Sequence, residues 1–368
     1  MSTPRNRLLL HVGMHKTGSS SIQHRLAAAE SDGFRYVDLG RSPNHSGAMF
    51  AGFSSEPEKY HFFLRQGVPA GQARAVGDEV RRCLAEELAT AGPALRIVSG
   101  EDITTVDPEG LARLRDFLAP RVAGVKVFAY VRSPRSFMES AFQQRVRGGM
   151  GRLNFASLYP MYRKRFLGFE QVFGRRRLAL APFDVARFRD GDVVTDFCDR
   201  LGVPVPSGAK LELNRAHSRR ATSLLYTYRK FGAAYGTGPD EIRGNKALAL
   251  ALGSLQGPKL RFSGAQIDEV LARFANDRRW VESRLGIPLT DAQDGVVPGS
   301  VTCEEDLFGY DEEQLDWLRQ WGTHRRLGPK MTPTDVAAVI HDALPAIVEW
   351  FRADKRVKVQ VAAGTSIP

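Results

Sequence analysis

The chain has 368 residues and carries 52 Lys and Arg side chains against 41 Asp and Glu, a net charge of +11. Its composition, 43% hydrophobic and 25% charged, is that of an ordinary globular protein and excludes wholesale disorder. The cationic surplus consists of 41 Arg and 11 Lys. Because guanidinium groups bind phosphate, sulfate and carboxylate in a planar, bidentate manner, an anionic ligand is the first expectation, although surplus charge also serves solubility.

The cysteines and the apolar segments limit the class of protein further. Cys83, Cys198 and Cys303 are widely spaced and form no CxxC pair, which argues against a disulfide framework and against a zinc site. No apolar run approaches the roughly 20 residues that span a bilayer. The apolar stretch near the N-terminus is also too short for the core of a signal peptide. We therefore expect a cytoplasmic protein with no integral membrane segment and no bound metal.

The first half of the chain alternates β-type runs with helical patterns. Buried strands are predicted at Arg7–Gly13, Phe34–Asp38, Leu95–Ser99, Val125–Val131 and Arg177–Ala181. Helices are predicted at Ser19–Glu30, Gln72–Thr90, Glu109–Leu118 and Arg135–Arg147. This alternation predicts an α/β fold with a central parallel sheet of about five strands and flanking helices. Between these elements, Leu39–Pro69 lacks sustained periodicity, and its aromatic residues favour a packed functional loop.

The second half, after about Pro204, becomes helical and rich in arginine. Helices are predicted at Ser218–Phe231, at Ser263–Leu285 with a capping box at its start, and at Thr334–Phe351 with a kink at Pro345. Asp291–Gly299 has the composition of a linker, with no side-chain chemistry that we can assign. We divide the chain into an α/β core at 1–205 and a helical region at 206–368.

A glycine-containing loop follows the first predicted strand and opens the first helix. Gly13 and Gly18 have the GxxxxG spacing of a loop whose backbone N–H groups converge on a phosphate. Ser19, Ser20 and Ser21 add hydroxyl donors at the helix N-terminus, where the helix dipole also favours an anion. A loop that binds a nucleoside triphosphate would carry Lys directly after the second Gly, whereas this chain carries its lysine two residues before Gly18.

A second strand, turn and helix carry further anion-binding groups. Arg132 follows the strand at Val125–Val131, Pro134 stands where a first-turn proline belongs, and Ser140 lies two helical turns on. Ligands of open α/β sheets bind at the carboxyl ends of the strands. An Arg and a hydroxyl at that edge predict a site for a second phosphate group.

Together the two segments resemble the sulfotransferases that use 3′-phosphoadenosine 5′-phosphosulfate (PAPS). The family's second motif, R-x-P-x-x-x-x-x-S, is matched by Arg132, Pro134 and Ser140. Its first motif, a Lys or Arg before Ser/Thr-Gly-Ser/Thr-Ser/Thr, is matched by the run from His15 to Ser20, with His15 where the family commonly has Pro. The similarity covers about residues 6–205.

The resemblance implies a P-loop-like fold, a PAPS-binding core at 1–205 and 3′,5′-ADP as a product, without a metal. It implies that Lys16 contacts the bridging oxygen and the sulfuryl group. The 3′-phosphate would lie on Arg132 and Ser140. The first loop would hold the 5′-phosphate, and the residues expected to bind the nucleotide there are His15, Lys16, Thr17, Gly18, Ser19, Ser20 and Ser21.

The general base has several candidates. Glu101 follows a central strand and resembles the catalytic glutamate of the glycan-modifying branch, although Asp102 stands where that branch commonly has Lys. His45, in the long loop, is the rival, because the pKa of histidine suits a base near neutral pH. His15 and His61 are weaker candidates.

The helical region is expected to complete the core, to contribute to the acceptor site and to close over the nucleotide. Arg219, with Arg220 as an alternative, is the candidate for that closure, since the family's RKG-type loop is missing here. The expected acceptor is a small molecule or, by resemblance, a glycan or glycolipid, through a hydroxyl or an amine. An ATP-dependent P-loop phosphotransferase is the alternative enzyme. A nucleic-acid-binding protein is less favoured, because no motif of that class is present.

Overall fold

The structure is a computed structural model, and it describes residues 6–40, 42–92, 95–207, 216–233, 235–236, 238–291, 298–322, 327–328 and 330–353. Within those ranges, no helix has the length and apolarity to cross a bilayer.

Five parallel strands form one sheet. They are β1 (Arg7–His11), β2 (Arg35–Tyr36), β3 (Leu95–Ser99), β4 (Gly124–Val131) and β5 (Leu178–Pro182). Their order across the sheet is β2-β3-β1-β4-β5, and every neighbouring pair is parallel. The predicted α/β class and all five predicted strands are confirmed.

Fifteen α-helices flank and extend this sheet in the described part of the chain. In chain order they are α1 (Ser19–Ala27), α2 (Ser46–Phe53), α3 (His61–Gln66), α4 (Ala70–Ala89), α5 (Pro108–Leu118), α6 (Pro134–Arg147), α7 (Phe155–Leu158), α8 (Tyr162–Phe173), α9 (Val193–Leu201), α10 (Arg219–Phe231), α11 (Pro239–Ala251), α12 (Ala265–Arg273), α13 (Ala275–Leu285), α14 (Glu312–Arg319) and α15 (Pro333–Ala353). The last of these runs through Pro345 as one helix.

Both faces of the sheet are buried, because successive side chains of a strand point to opposite faces. In β1, Leu8 and Leu10 pack into the larger core, which continues into the helical region, while Leu9 packs into a smaller core on the other face. Double burial explains why the strands are apolar over most of their length and therefore recognisable in the sequence.

Two sequence predictions about helices are wrong. Leu39–Pro69 is not an irregular loop, since it contains α2, α3 and a 3₁₀ turn at Pro57–Lys59. The predicted single helix at Ser263–Leu285 is two helices, α12 and α13, which meet at Phe274. Its predicted capping box is also not formed, because α12 begins after Gly264, which has φ of 87° and no capping side chain.

The order of the strands determines where a ligand site can lie. The chain builds β2 and β3 on one side of β1, and then crosses to build β4 and β5 on the other side. The loops after β1 and β4 therefore leave the sheet edge in a crevice between neighbouring strands, which is where open α/β sheets bind their ligands.

Candidate active site

The loop from β1 to α1 has a backbone that only particular residues can adopt. Gly18 has φ of 76°, and a Cβ there would lie 2.7 Å from Cγ1 of Val193, so both conformation and space require glycine. Lys16 also has a positive φ, 66°, although it is not glycine. Non-glycine residues in this region are strained and cluster at functional sites, which fits a loop shaped around a ligand.

The hydroxyl groups of this loop have different environments. Thr17 is fully buried, and its Oγ1 donates to the carbonyl of Met14 at 2.6 Å, so this hydroxyl shapes the loop instead of lining a cleft. The buried Oγ of Ser19 has no hydrogen-bond partner in the described part of the chain. A Cβ on Gly13 would lie 2.9 Å from that oxygen, so glycine leaves room for it. An unpaired buried hydroxyl at a helix N-terminus fits an anionic ligand that accepts a hydrogen bond from it.

The segment after β4 contacts this loop directly. Nη1 of Arg132 donates to the carbonyl of Lys16 at 3.0 Å, and Nε donates to Oγ of Ser136 at 2.7 Å. The hydroxyl of Tyr162 donates to the carbonyl of Arg132 at 2.7 Å. The two motifs, 116 residues apart, are therefore held together at the crevice between β1 and β4.

These elements enclose a cleft of about 590 Å³, which we call the basic cleft. Its described lining includes five Lys and Arg side chains and only two carboxylates, those of Glu101 and Glu139. The predicted residues that line it are His15, Lys16, Gly18, Ser19, Ser20, Ser21, Glu101, Arg132 and Ser140. The other lining cations are Arg147, Lys259 and Arg261. The structure thus brings most of the predicted residues into one cation-rich cleft.

Lys16 is the cation whose charge is most affected by its surroundings. Burial lowers the pKa of its ammonium group to about 8, and the guanidinium groups of Arg147 and Arg132 act in the same direction. A half-buried ammonium group among other cations interacts strongly with any anion that enters the cleft.

The sequence analysis missed two cations from the second half of the chain, Lys259 and Arg261. Nη1 of Arg261 donates to Oε2 of Glu139 at 2.9 Å, and the backbone N–H of Phe262 donates to the other oxygen at 3.0 Å. Glu139 on α6 thus fastens this segment beside the basic cleft. The only sequence signal was their spacing of two residues, which places both side chains on one side of an extended segment.

Glu101 lies at the edge of the basic cleft in an ionic cluster that the sequence did not reveal. Nδ1 of His15 is 3.7 Å from Oε1 of Glu101, and its Nε2 is 3.1 Å from Oδ1 of Asp102. Nε2 of Gln23 donates to Oε2 of Glu101 at 3.2 Å. The imidazole of His15 therefore lies between two carboxylates.

This arrangement sets the protonation states of the cluster. Burial opposes the charge on His15, but the hydrogen bonds and charges of Asp102 and Glu101 outweigh it and raise the pKa of His15 to about 9. Burial likewise opposes the charge on Glu101, but the pKa of this carboxyl is lowered by the hydrogen bond and charge of His15. At neutral pH the cluster is an imidazolium between two carboxylates.

The geometry does not support His45 as the base. Its Nδ1 accepts a hydrogen bond from the backbone N–H of Ser99 at 3.1 Å, and its ring also bonds to the backbone of Val37. The side chain is 1% exposed, and burial lowers its pKa to about 4. The imidazole of His45 is thus hydrogen-bonded to the backbone of two neighbouring segments. It is not among the residues that line the basic cleft. His61 instead lies 4.0 Å from Oδ2 of Asp102, outside that cleft.

Arg219 and Arg220 do not reach the basic cleft either. Nη2 of Arg219 donates to the carbonyl of Asp306 at 2.9 Å, and Arg220 forms ion pairs with Asp311 and Glu313. Their guanidinium groups thus fasten α10 to neighbouring segments of the helical region. Residues 208–215, which lie shortly before α10 in the chain, are outside the described residues.

Asp291 has a defined contact that its linker-like sequence did not indicate. Its carboxylate oxygens accept hydrogen bonds from the backbone N–H groups of Arg135 and Ser136, both at 3.2 Å. The carboxylate of Asp291 therefore lies at the N-terminus of α6, where a negative charge interacts favourably with the helix dipole. Residues 292–297 of the predicted linker lie outside the described residues.

Comparison with known proteins gives weak similarities. No known family profile matches the chain. An uncharacterized protein of Archaeoglobus fulgidus is 27% identical over 133 residues, and the match spans 35% of this chain and 36% of that protein. The chain therefore matches about a third of that relative's length.

Two solved structures are similar to the chain. The crystal structure of a sulfotransferase from Alicyclobacillus acidocaldarius has a TM-score of 0.40 and 16% identity, covering 78% of this chain and 98% of that chain. The sulfotransferase domain from the curacin biosynthetic pathway has a TM-score of 0.33 and 17% identity, covering 75% of this chain and 99% of that domain. Because both TM-scores are below 0.5, these alignments are not used to infer activity, and any inference about activity has to come from the basic cleft.

Proposed function

We propose that the protein is a sulfotransferase that moves a sulfuryl group from PAPS to an acceptor hydroxyl or amine, with 3′,5′-ADP as the second product. One observation carries this proposal: Lys16, the serines at the start of α1, Arg132 and Ser140 line a single basic cleft at the β1/β4 crevice. These are the groups that a donor with phosphates at both its 5′ and 3′ positions requires.

The residues fit the donor through their chemistry. Ser19 has a buried hydroxyl without a partner in the described chain, at the N-terminus of a helix with no acidic residue in its first turn. This end of α1 suits the 5′-phosphate. Arg132 and Ser140 suit the 3′-phosphate, and Lys259 and Arg261 add charge from the helical region. Bound PAPS supplies a sulfuryl group on a phosphate leaving group.

The transfer forms one bond and breaks another. The acceptor oxygen bonds to sulfur while the bond from sulfur to the bridging phosphate oxygen breaks, and the electron pair leaves with 3′,5′-ADP. In this mechanism Lys16 stabilises the negative charge that develops on that oxygen. Glu101 receives the acceptor proton, and its ion pair with His15 holds the carboxylate in position.

Binding of 3′,5′-ADP tests the donor site. Calorimetry should show tight binding of 3′,5′-ADP and much weaker binding of 5′-AMP, since only the former has a 3′-phosphate. Arg132→Ala should raise the KM for PAPS roughly tenfold or more, because it removes a charge-assisted contact of about 1.5–3 kcal/mol. No affinity for 3′,5′-ADP would overturn the proposal, and an unchanged KM would overturn the role of Arg132.

Lys16→Ala tests the chemical step. Its kcat should fall by about 10²–10³-fold, as expected for loss of a group that stabilises transition-state charge, while 3′,5′-ADP binding weakens only modestly. The kcat/KM of the wild type for PAPS should also decline above pH 8, because Lys16 of the free protein loses its proton there. A variant that turns over as fast as the wild type would contradict the role. Transfer that requires ATP and Mg²⁺ would instead assign the phosphotransferase alternative.

A further inference from the structure

A network of buried polar side chains leads from the centre of the sheet to Glu101. It consists of His11 at the end of β1, Ser99 at the end of β3 and Gln23 on α1, and each of these residues is at most 2% exposed. None of the three lines the basic cleft. Because a buried polar group costs free energy unless hydrogen bonds compensate for it, the partners of this buried network indicate what it does.

Gln23 occupies a position of α1 at which the helix pattern predicts an apolar residue. The buried residues of α1 are Ser19, Ile22, Gln23 and Leu26, which recur at intervals of three and four residues on one face of the helix. Ile22 and Leu26 pack into the smaller core, whereas Ser19 lines the basic cleft. The helix that begins at the cleft therefore carries a buried amide one turn further on.

The amide of Gln23 joins Ser99 to Glu101. Its Nε2 donates to Oγ of Ser99 at 3.3 Å and to Oε2 of Glu101 at 3.2 Å. An ionised carboxylate only accepts hydrogen bonds, so the NH2 end of the amide, and not its oxygen, has to face Glu101. The two N–H groups of that end are then committed, one to each partner. The amide therefore connects the proposed base to the buried end of β3.

His11 holds the other end of the buried network. His11 and Ser99 are partners in the parallel pairing of β1 with β3, and Nδ1 of His11 is 2.7 Å from Oγ of Ser99. Burial lowers the pKa of His11 to about 4, so its ring is neutral at physiological pH. In either neutral tautomer, the oxygen of Ser99 keeps a lone pair that accepts a hydrogen bond from Gln23. The sheet thus fixes Ser99, Ser99 fixes the amide, and the amide fixes one oxygen of Glu101.

The two carboxylate oxygens of Glu101 have different partners. Oε1 lies 3.7 Å from Nδ1 of His15, while Oε2 accepts from Gln23. Burial opposes the charge on Glu101, but the pKa of this carboxyl is lowered by the hydrogen bond and charge of His15 and by the hydrogen bond of Gln23. Asp102 acts on it through their shared partner His15. The titratable groups whose charges interact directly with Glu101 are those of His11, His15, Lys16, Tyr36 and Tyr60.

We propose that Gln23 is a positioning residue of the transfer reaction, which holds Glu101 in the orientation in which its carboxylate receives the acceptor proton. This inference rests on the proposed function. Ser99 and His11 support Gln23 by preventing rotation of its amide. Because Gln23 belongs to the helix whose N-terminus would bind the 5′-phosphate, one rigid element sets the base and the donor relative to each other. Loss of the amide should therefore affect the chemical step and not the binding of the donor.

Gln23→Met is the first test, because methionine has a similar length and volume but no amide. The measurement is carbon-13 NMR of the glutamate carboxyl groups in the full-length chain, in which the Glu101 signal is the one missing from Glu101→Gln. The midpoint of the Glu101 titration should rise by at least about half a pH unit in Gln23→Met, since a hydrogen bond to the ionised form is lost. Gln23→Glu should raise it further, because a second carboxyl group then faces Glu101.

The rate of PAPS hydrolysis tests the catalytic consequence with water as the acceptor. The water oxygen bonds to sulfur, its proton passes to Glu101, and 3′,5′-ADP leaves with the electron pair of the broken bond, so that sulfate forms. Gln23→Met should lower the kcat of this reaction roughly tenfold. The KM for PAPS and the Kd for 3′,5′-ADP should stay unchanged, since Gln23 does not line the basic cleft. Gln171→Met, at an exposed position of α8 outside that cleft, is the matched control and should hydrolyse PAPS as fast as wild type.

Two further variants separate positioning from general damage to the fold. Ser99→Ala removes the anchor of the amide with little change in volume, and it should move the Glu101 titration and kcat in the same directions as Gln23→Met. Added to Glu101→Gln, the change Gln23→Met should slow hydrolysis no further than Glu101→Gln alone. An effect that Gln23 exerts through the carboxylate of Glu101 disappears when that carboxylate is removed.

The outcomes distinguish this inference from the proposed function. If wild type binds 3′,5′-ADP but the Glu101 titration is the same in wild type and Gln23→Met, the positioning role is wrong and the donor site stands. A loss that appears in KM instead of kcat, or additive effects of the Gln23 and Glu101 substitutions, would also overturn that role. If wild type does not bind 3′,5′-ADP, the proposed function itself fails, and Gln23 then has no part in sulfuryl transfer even if its replacement shifts the titration.

Discussion

His15 occupies the position at which the motif commonly has proline, and in this chain it contacts both Glu101 and Asp102. The sequence motif places His15 beside Lys16 but does not show its partners. Glu101 and Asp102 lie about 86 residues further on, and they reach His15 only because β3 pairs with β1 in register, with His11 opposite Ser99. Their pairing is thus a consequence of the sheet and not of local sequence.

Replacement of His15 should make stability depend on pH in a defined direction. The pKa of His15 is about 9 in the folded protein against an ordinary value of 6.5. Its stabilising contribution is therefore complete below pH 6.5 and is lost as the pH rises through 9. His15→Asn should lower the free energy of unfolding by about 1–2 kcal/mol at pH 6, allowing for partial solvent screening, and by much less at pH 10.

Urea denaturation at the two pH values measures this difference. His24→Asn is the matched control, because His24 is an exposed residue of α1 without an ion pair among the described residues. A loss of stability that is equal at pH 6 and pH 10 would show that His15 acts through packing and not through its charge.

At the scale of elements, the strands were predictable and α2 was not. Apart from β2, the strands are apolar over most of their length, so a run of hydrophobic residues identifies each one. In α2 nearly every residue is buried, from Ser46 at its start to Phe53 at its end, so the helix has no polar face and no 3.6-residue period. Its two glycines further weaken any helical signal, and α3, with six residues, is too short to show one.

The close packing of α2 against α4 at Gly77 leads to a prediction about stability. A Cβ on Gly77 of α4 would lie 2.3 Å from the backbone oxygen of Ala51 in α2, and backbone cannot move aside cheaply. Gly77→Ala should therefore lower the free energy of unfolding by about 1–3 kcal/mol, the usual cost of overpacking, despite alanine's better helix propensity.

The same helix provides the control. Gly71 also lies in α4, and no atom stands within 4 Å of the position that an added Cβ would take there. Gly71→Ala should therefore leave stability unchanged or raise it by up to about 1 kcal/mol. Thermal denaturation of the two variants gives the comparison. Equal stability of both would contradict the close approach of α2 and α4.

At the scale of the whole molecule, the basic cleft combines segments that lie far apart in the chain. The loop after β1 and the segment after β4 were predictable from their motifs, since local turn chemistry and spacing identify each one. Lys259 and Arg261 were not, because their role depends on the contact between Arg261 and Glu139, 122 residues apart. A motif search misses a contribution that only the tertiary fold creates.

Part of the positive charge behind the net value of +11 is concentrated in the basic cleft. Many arginines are paired on the surface, as Arg82 is with Glu79 and Glu86, and such exposed pairs contribute little to stability. The five Lys and Arg side chains of the basic cleft are different, since they share one concave site with two carboxylates. Their mutual repulsion should be relieved by a ligand with several negative charges.

Ligand binding should consequently stabilise the whole chain. A ligand that binds only the folded state adds about 2.7 kcal/mol when present at 100 times its Kd. Saturating 3′,5′-ADP should therefore raise the Tm by several degrees, and adenosine at the same concentration should not, because it lacks both phosphates. Since the ligand would contact residues from Lys16 to Arg261, the core and the helical region should shift together in one transition.

Differential scanning calorimetry at about 50 and about 500 mM salt completes the test. The shift in Tm should shrink at the higher salt concentration, because the cleft's attraction for phosphate is electrostatic and partly screened. Lys259→Ala, which removes a cation contributed by the helical region, should reduce the shift at low salt, whereas Lys246→Ala on α11 should not, since Lys246 does not line the cleft. A ligand-induced shift confined to part of a split transition would show that the second half of the chain does not belong to the site.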